Sequence, residues 1–210
     1  MPNWCTNTIT ITGEPRTIKM FEKMLKGMSP GGGVFETLIG KDEKLDKEEY
    51  DNGGWYSHNT NRYGTKWDID FNEHQFDFTD GCLVINCETA WSPPTEFVEN
   101  LTKVYNVTCE MTYEEPGNDF AGKIVVSDGE IIQNDQYDYA EGVYHLDNEY
   151  FWDGFMENQF DYWRDEEVTD EEVKEYYSFL SEKEKEEVLT YYKEYEERHK
   201  QTDDIQDRDA

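Results

Sequence analysis

The chain has 210 residues, and its 49 aspartates and glutamates outnumber its 19 lysines and arginines, which gives a formal net charge of −30 at pH 7. Hydrophobic residues make up only 36 % of the chain, but aromatic residues reach 15 %, so we expect a folded and strongly acidic protein rather than a disordered one. This charge disfavours direct binding to nucleic acid or to an anionic membrane, and it favours partners with basic surfaces.

The location of the protein is indicated by its apolar segments and its cysteines. No apolar run approaches the roughly 20 residues of a membrane span, and the start of the chain lacks the basic and then apolar order of a signal peptide. We therefore expect a cytoplasmic protein. Because the four cysteines lie in strand-like stretches and form no Cys-x-x-Cys pair, the sequence predicts buried free thiols at Cys5, Cys82, Cys87 and Cys109.

The first elements are a strand, a helix and a long insertion. Residues 5–12 alternate, with Cys5 and Ile9 on one side and threonines on the other, which is typical of a strand buried on one face. Pro15 is placed to open a helix and Gly27 to end it. Residues 28–66 are rich in glycine, asparagine and charge, so we expect a long irregular insertion there.

Apolar alternation returns after the insertion and predicts more strands. It runs from Trp67 to Phe78, turns at Asp80-Gly81 and comes back as far as Cys87, which is typical of a hairpin. Ser92 is then the predicted N-cap of a second helix that begins at Pro93.

Two further strands complete the predicted fold. Residues 107–114 and 120–126 alternate in the same way, so the order is βαββαβ plus an extra hairpin strand. This order indicates an α+β fold of the ferredoxin-like split βαβ type, with an antiparallel sheet that carries two helices on one face and leaves the other face open.

The carboxy-terminal third has a different composition. Residues 135–163 contain eight acids, ten aromatic residues and no lysine or arginine. Capping boxes that start at Thr169 and Ser181 predict two successive helices, over about 170–180 and 182–199. The residues predicted to face inward are Val173, Tyr176, Tyr177 and Leu180 on the first and Val188, Leu189, Tyr192 and Tyr195 on the second. The predicted organisation is therefore a ferredoxin-like domain at 1–133, an acidic aromatic segment at 134–168, a two-helix extension at 169–200 and a flexible tail at 201–210.

Catalytic and metal-binding patterns are not evident in the sequence. The four histidines, His58, His74, His145 and His199, are scattered, and no His-x-x-x-His or Cys-His spacing occurs. The acidic runs lack the glycine turn of a calcium loop. The sequence thus predicts no catalytic residue, no metal site and no cofactor, and it favours a role other than catalysis.

Five short motifs carry a resemblance to a known family. They are Met1-Pro2-Asn3-Trp4-Cys5-x-Asn7, Gly64-Thr65-Lys66-Trp67-Asp68, Glu88-Thr89-Ala90-Trp91-Ser92-Pro93-Pro94, Tyr113-Glu114-Glu115-Pro116-Gly117, and Phe120 with Gly122. Over about residues 1–133 the chain resembles the YubB-like family of plasmid and phage proteins. The resemblance implies a mobile-element origin, a ferredoxin-like fold and a shared surface or structural cluster of these motifs. It implies no activity, and it does not extend to the acidic residues after about 134.

The leading hypothesis is a phage- or plasmid-encoded inhibitor of a host nucleic-acid-dependent protein, such as a CRISPR or restriction enzyme. It would bind the basic, nucleic-acid-binding surface of that protein by an acidic surface that would mimic DNA, and it would act by occupancy in the bacterial host cytoplasm. The predicted partner-binding residues are Asp153, Glu157, Asp161, Trp163, Asp165, Glu166, Glu167, Asp170, Glu171 and Glu175.

Two alternatives stay open. One is a binding module or enzyme for a small ligand or nucleotide, which would use a pocket between loop 28–66 and the cluster of Lys66, Trp67 and Trp91. Its predicted ligand-binding residues are His58, Arg62, Lys66, Trp67, Asp68 and Trp91. The other is a homo-oligomeric assembly protein, for example a homodimer, in which the open sheet face or a sheet edge pairs two subunits.

Overall fold

The computed structural model describes residues 2–29, 31–42, 47–163 and 168–206, with side chains as far as His199. The chain forms two compact units, Met1–Tyr139 and Ala140–Ala210, called unit 1 and unit 2 below. Each unit is described by itself. In the described part of the chain, no helix has both the length and the apolar character that crossing a membrane requires.

Unit 1 is built on a six-stranded sheet in which every neighbouring pair is antiparallel. The strand order is β2-β3-β1-β4-β5-β6. The strands are β1 (Trp4–Gly13), β2 (Gln75–Thr79), β3 (Cys82–Ala90), β4 (Val107–Glu115), β5 (Phe120–Ser127) and β6 (Glu130–Tyr137). The first four strands have the order of a split βαβ sheet, and β5 and β6 extend it, so the predicted fold class is confirmed.

The helices of unit 1 include three in the segment that the sequence left without elements. They are α1 (Pro15–Lys26), α2 (Val34–Ile39), α3 (Lys47–Glu49), α4 (Trp55–Tyr63) and α5 (Thr95–Val104). A π-helical turn at Tyr50–Gly54 joins α3 to α4, and a 3-10 turn at Pro116–Asn118 separates β4 from β5.

The central strand β1 has one buried face and one open face, as the alternation predicts. Cys5, Ile9 and Ile11 are fully buried, whereas the intervening Thr6 and Thr8 are exposed. The inward side chains join the core with Ile18 and Phe21 of α1 and with apolar residues of α5. All four cysteines are free, and only Cys82 is not fully buried, so the prediction of free thiols is confirmed.

Segment 28–66 contributes to this core, because α2 buries Val34, Phe35, Leu38 and Ile39. The ring of Phe35 stacks on that of Phe97 from α5, with 4.3 Å between the centroids. The expectation of an irregular loop overlooked this helix because it has only six residues and follows three glycines.

Two local predictions in unit 1 were wrong. Residues 67–71 form no strand apart from an isolated bridge between Asp70 and Gly33, and the hairpin begins at Gln75. Ser92 does not cap α5, whose N-cap is Pro94. The hydroxyl of Ser92 instead donates a hydrogen bond to the carbonyl of Gly64, 2.6 Å away.

Unit 2 is helical, with α6 beginning at the end of unit 1. Its helices are α6 (Tyr139–Leu146), α7 (Asn148–Tyr150), α8 (Met156–Trp163), α9 (Asp170–Tyr176) and α10 (Glu182–Gln206), and a π-helical turn at Phe151–Phe155 precedes α8. Both predicted capping boxes are present: Thr169 and Glu172 cap each other at α9, and Ser181 and Glu184 do so at α10. Helix α10 continues past Gln201, where the sequence predicted a flexible tail.

The core of unit 2 consists largely of aromatic rings. Phe151 and Phe160 are fully buried and each contacts several other rings. Of the residues predicted to face inward on the two capped helices, Tyr176 is 37 % exposed, whereas the others are buried. Those buried residues are Val173, Tyr177, Leu180, Val188, Leu189, Tyr192 and Tyr195.

Candidate functional site

Hydrogen bonds join several of the sequence motifs at one end of strands β1 and β3. The side-chain amide of Asn7 donates to the carbonyl of Cys5 at 2.7 Å and to the hydroxyl of Thr89 at 2.9 Å. That hydroxyl in turn donates to the carbonyl of Ser92 at 2.7 Å. The Thr65 hydroxyl donates to the carbonyl of Ala90 at 3.0 Å. These bonds fix the turn after β3 against the segment that follows α4.

Gly64 ends α4 in a conformation that favours glycine. Its φ is +84°, and a Cβ there would lie 2.9 Å from the backbone nitrogen of Thr95. Any side chain at this position would therefore be strained and would push away the start of α5. Gly64 thus places residues 65–68 close to the ends of β1 and β3.

Asp68 holds the start of α2. One carboxylate oxygen accepts hydrogen bonds from the backbone N–H groups of Phe35 and Ile69, each at 2.7 Å, and the other accepts from Glu36 at 2.8 Å. Burial raises the pKa of Asp68 to about 6, although these three N–H groups act in the opposite direction. A Cβ at Gly33 would overlap this carboxylate, which explains the glycine there.

Three tryptophans of the motifs are exposed to solvent. Trp4, Trp67 and Trp91 have exposed fractions of 46 %, 39 % and 44 %. The rings of Trp4 and Trp67 are 6.3 Å apart between centroids, and the Lys66 ammonium lies 4.2 Å from the centroid of Trp67. Trp91 has a φ of +74°, which is uncommon for a bulky residue, and its backbone N–H donates to the backbone carbonyl of Asn3.

A groove of about 430 Å³, the tryptophan groove, lies beside the rings of Trp4 and Trp67. Four carboxylates and one histidine contribute to its lining. The lining residues are Trp4, Trp67, Asp68, Ile69, Asp70, Glu73, His74, Glu88, Thr89 and Ala90. The groove therefore combines flat aromatic surfaces with negative charge.

A second cavity, of about 540 Å³, lies beside His58 and is called the histidine cavity. The Nε2 atom of His58 faces a carboxylate oxygen of Asp42 at 3.5 Å, and its Nδ1 atom lies 3.3 Å from the side-chain oxygen of Asn59. The ring of Tyr50 meets the His58 ring edge-on. The lining residues are Gly33, Glu36, Asp42, Lys47, Tyr50, Asp51, His58, Asn59, Tyr63, Trp67 and Asp68.

The six predicted ligand-binding residues are thus only partly brought together. His58, Trp67 and Asp68 line the histidine cavity, and the latter two also line the tryptophan groove. The guanidinium of Arg62 donates to the carbonyl of Gly40, and Lys66 covers Trp67 without lining either space. Trp91 is outside both linings as well.

Some lining residues were missed in the sequence. Asp42 and Tyr50 fall in the segment that was read as irregular, and Glu73 and His74 fall in what was predicted to be a strand-rich stretch. Glu88 had a usable signal, because the alternation of β3 places it on the open face of the sheet.

Unit 2 presents an acidic surface. Asp153, Asp161, Asp170, Glu171 and Glu175 are exposed, and Glu157 is half-buried. Trp163, in contrast, is only 8 % exposed and packs among the rings of the core, so it does not belong to this surface. The predicted residues Asp165, Glu166 and Glu167 lie outside the described part of the chain.

Ion pairs use every lysine and arginine side chain that the structure describes in unit 2. Lys193 pairs with Asp170 at 2.6 Å, and Arg198 approaches Glu157 at 3.6 Å. Lys174 pairs with Glu186, and Lys183 and Lys185 pair with glutamates of their own helix. Across the described residues of both units, no group of three or more candidate ligands is arranged to hold a metal ion.

Comparison with known proteins gives a fold and a family likeness. A family model described as the ferredoxin-like domain in Api92-like proteins matches residues 66–152. The crystal structure of protein Api92 from Yersinia pseudotuberculosis is similar to this chain, with a TM-score of 0.44 and 12 % identity, over 66 % of this chain and 98 % of that one. No curated protein matches the sequence. The ferredoxin-like domain is confirmed, and the likeness is to Api92-like proteins, whereas the YubB-like label is not confirmed.

Proposed function

We propose that the protein is an inhibitor that binds a basic, nucleic-acid-binding surface of a host protein through the acidic surface of unit 2. In this proposal the acidic surface occupies the site where the host protein would hold DNA or RNA. The target class is a defence enzyme such as a CRISPR or restriction nuclease, in line with the mobile-element origin that the sequence resemblance implies. Inhibition then follows from occupancy and requires no catalytic group.

The observation that carries the proposal is the charge of residues 140–176. This segment holds 13 aspartates and glutamates against two lysines and arginines. The cations that α10 supplies to it are already engaged, because Lys193 and Arg198 pair with Asp170 and Glu157. A large surplus of carboxylates is therefore left for a partner.

The packing of unit 2 supports a fixed arrangement of these charges. Phe151 and Phe160 anchor the segment to the aromatic core, and the capping box at Thr169 fixes the start of α9. Carboxylates on a packed scaffold lose less conformational entropy on binding than those of a flexible chain. Their summed field would also accelerate the encounter with a basic partner.

The test uses two full-length variants that lose the same amount of charge. Asp153→Asn, Glu171→Gln and Glu175→Gln together remove three charges from unit 2. Glu14→Gln, Asp77→Asn and Glu130→Gln remove three exposed charges from unit 1. Each immobilised protein is incubated with nuclease-treated bacterial lysate, and bound proteins are eluted with salt, identified and challenged with duplex DNA.

We expect wild type and the unit 1 variant to retain the same nucleic-acid-binding protein, and DNA to displace it. The unit 2 variant should lose most of that protein. Equal retention by all three proteins, or a ternary complex with DNA, would contradict the proposal.

A second candidate function is small-ligand binding in the histidine cavity. It is favoured by the cavity itself and by the buried Nε2 atom of His58 that faces Asp42. Because the lining includes Glu36, Asp51 and Asp68, a neutral or cationic ligand suits it better than a nucleotide phosphate. His58→Ala should abolish binding of any small molecule that copurifies with the protein, and unchanged binding would dismiss this candidate.

A third candidate is self-assembly through β6. This strand forms one edge of the sheet, and a bulge opposite Val125 and Val126 accompanies the exposure of Ile131 and Ile132, at 40 % and 64 %. An exposed apolar edge can pair with a second copy. Sedimentation equilibrium should then show a dimer that Ile132→Lys converts to a monomer, and a monomeric wild type at high concentration would exclude it.

A further inference from the structure

The tryptophan groove has the chemistry of a site for a positively charged side chain. Its walls include the rings of Trp4 and Trp67, which are tilted by 40° to each other. The faces of tryptophan rings attract cations, and they do so more strongly than those of tyrosine or phenylalanine. Lys66 shows this attraction within the chain, because its ammonium lies over the ring of Trp67.

The four carboxylates that line the tryptophan groove differ in how many hydrogen bonds they already accept within the chain. Asp68 accepts three backbone hydrogen bonds, and Asp70 accepts two from Asn72. Glu73 and Glu88 are exposed, and neither side chain accepts a hydrogen bond from a described residue. These two carboxylates are therefore available to an incoming donor, and no lysine or arginine occurs among the described residues that line the groove.

A guanidinium fits this combination better than an ammonium or a phosphate. It is planar, it stacks on aromatic faces, and its fork of N–H groups can bind a carboxylate in a bidentate manner. A phosphate would be repelled by the four carboxylates of the lining. Arginine is thus the side chain that uses both the rings and the free carboxylates.

The position of the groove in the sheet favours a peptide rather than a free cation. Glu73 and His74 lead directly into β2, which begins at Gln75 and is the other edge strand of the sheet. An edge strand offers unpaired backbone N–H and C=O groups to an extended segment. A peptide paired with β2 can therefore place one side chain into the adjacent groove.

We propose that the tryptophan groove binds an arginine side chain of an extended segment of a partner protein, with Glu73 and Glu88 receiving the guanidinium. The site lies in unit 1, and it does not depend on the acidic surface of unit 2. It gives Trp4 and Trp67, two of the three exposed tryptophans of the sequence motifs, a role in recognition that hydrogen bonding within the fold does not supply.

The test is a titration of the full-length chain, labelled with ¹⁵N in its tryptophan indoles. The probe is the peptide acetyl-Thr-Val-Arg-Val-Thr-amide, and its matched control carries citrulline, which has nearly the same shape without the charge, in place of arginine. Single Trp→Phe variants at each of the six tryptophans assign the indole signals. A second comparison measures peptide binding by two double variants. One carries Glu73→Gln and Glu88→Gln, and its charge-matched control carries Glu14→Gln and Glu130→Gln.

We expect the arginine peptide to shift the Trp4 and Trp67 signals. The citrulline peptide and the Glu73→Gln, Glu88→Gln variant should each bind about tenfold more weakly or worse, the factor for loss of a charge-assisted hydrogen bond. The Glu14→Gln, Glu130→Gln control and the unit 2 charge variant should bind as wild type does. If the unit 2 charge variant still binds the arginine peptide, peptide binding does not depend on the acidic surface. This inference and the proposed function can then fail separately.

Three results would overturn the inference. Equal binding of the citrulline peptide would show that the charge is not recognised. Shifts confined to Trp152 and Trp163 would place the peptide on unit 2. Arginine amide binding as tightly as the peptide would assign the groove to a small organic cation instead. Signals of Trp55 and Trp91 that stay unchanged in the variants verify that their fold is intact.

Discussion

The two units of the chain build their cores from different materials. Unit 1 buries mainly aliphatic and sulfur-containing side chains between a sheet and its helices, with Ile9 and Ile11 of β1 at the centre. Unit 2 buries rings, and Phe160 alone lies within 5.1–6.3 Å, between centroids, of four others. Each ring removes a large apolar area from water, so a short acidic segment can fold with few aliphatic residues.

This difference matches the distribution of charge. Residues 140–210 hold 24 of the 49 acids of the chain in one third of its length. A high charge density opposes compaction through self-repulsion, and dense aromatic packing offsets it. We therefore expect the stability of unit 2 to depend on a few buried rings, whereas that of unit 1 depends on many smaller contacts and on a hydrogen-bonded turn.

The largest expected effect is that of Phe160→Ala in unit 2. Removal of a fully buried ring should lower the free energy of unfolding by about 3–5 kcal/mol, because the surrounding rings cannot close the cavity. Hydrogen exchange followed by mass spectrometry should show faster exchange throughout α8 and α10, with β1 still protected. Phe21→Ala, in the core of unit 1, is the matched control and should give the opposite distribution. Equal deprotection of both units by either change would show that the cores are not separate.

Asn7→Ala tests the hydrogen-bonded turn of unit 1. Asn7 is 1 % exposed, and its side chain bonds to the Cys5 carbonyl and the Thr89 hydroxyl, so truncation leaves buried polar groups without partners. We expect a loss of about 3 kcal/mol, measured by urea denaturation. Thr8→Ala, which removes a comparable bond to Asn86 on the open face, is the control and should cost much less. If both changes lowered the free energy of unfolding equally, burial of the Asn7 hydrogen bonds would not contribute to the stability of unit 1.

Much of unit 1 could be predicted from the sequence, because a sheet that is buried on one face imposes a period of two. The alternation of β1 and the turn at Asp80-Gly81 gave the correct strands there. The candidate site could not be predicted to the same extent. The groove depends on Asp68 capping a helix 33 residues earlier in the chain, and a bond at that separation leaves no local pattern.

Asp68 gives a pH-dependent test of this long-range contact. Because the pKa of Asp68 is raised to about 6 in the folded state, its protonated form stabilises the fold at low pH, and that contribution is lost as the pH rises through about 6. Relative to Asp68→Asn, the free energy of unfolding of wild type should therefore fall by about 2 kcal/mol between pH 4 and pH 7, as measured by urea denaturation. Parallel curves for the two proteins would contradict the raised pKa.

Glu36→Gln sharpens the same test. The negative charge of Glu36 contributes to the raised pKa of Asp68, while its backbone N–H bonds to the carboxylate and is kept in the variant. The decline in the free energy of unfolding should consequently be smaller in Glu36→Gln than in wild type and should be complete at a lower pH.

In unit 2 the sequence predicted where two helices begin better than the role of each ring. The capping boxes at Thr169 and Ser181 are local patterns, and both are present. Trp163 and Tyr176 contact each other edge-on, yet the first is buried and the second is 37 % exposed, opposite to the prediction for each. Periodicity does not separate the two when short helices pack around a crowded aromatic core, since neighbouring rings on either side can cover a position.

The smallest effect is expected for Thr169→Ala, which removes one half of the capping box of α9. The Thr169 side chain accepts a bond from the backbone N–H of Glu172, and loss of such a cap costs about 1 kcal/mol. The bonds that Thr169 donates also lower the pKa of Glu172, so their contribution is present above the usual range of a carboxyl and lost as the pH falls through the lowered pKa. The difference in melting temperature between Thr169→Ala and wild type should thus shrink in acid. Thr190→Ala, whose hydroxyl bonds only to a carbonyl within α10, is a suitable control and should show no such change. A deficit of Thr169→Ala that was equal in acid and at neutral pH would mean that the bond from the Thr169 hydroxyl to the Glu172 carboxylate contributes no stability, and that the cap rests on the pH-independent bond from the Glu172 N–H to the Thr169 hydroxyl.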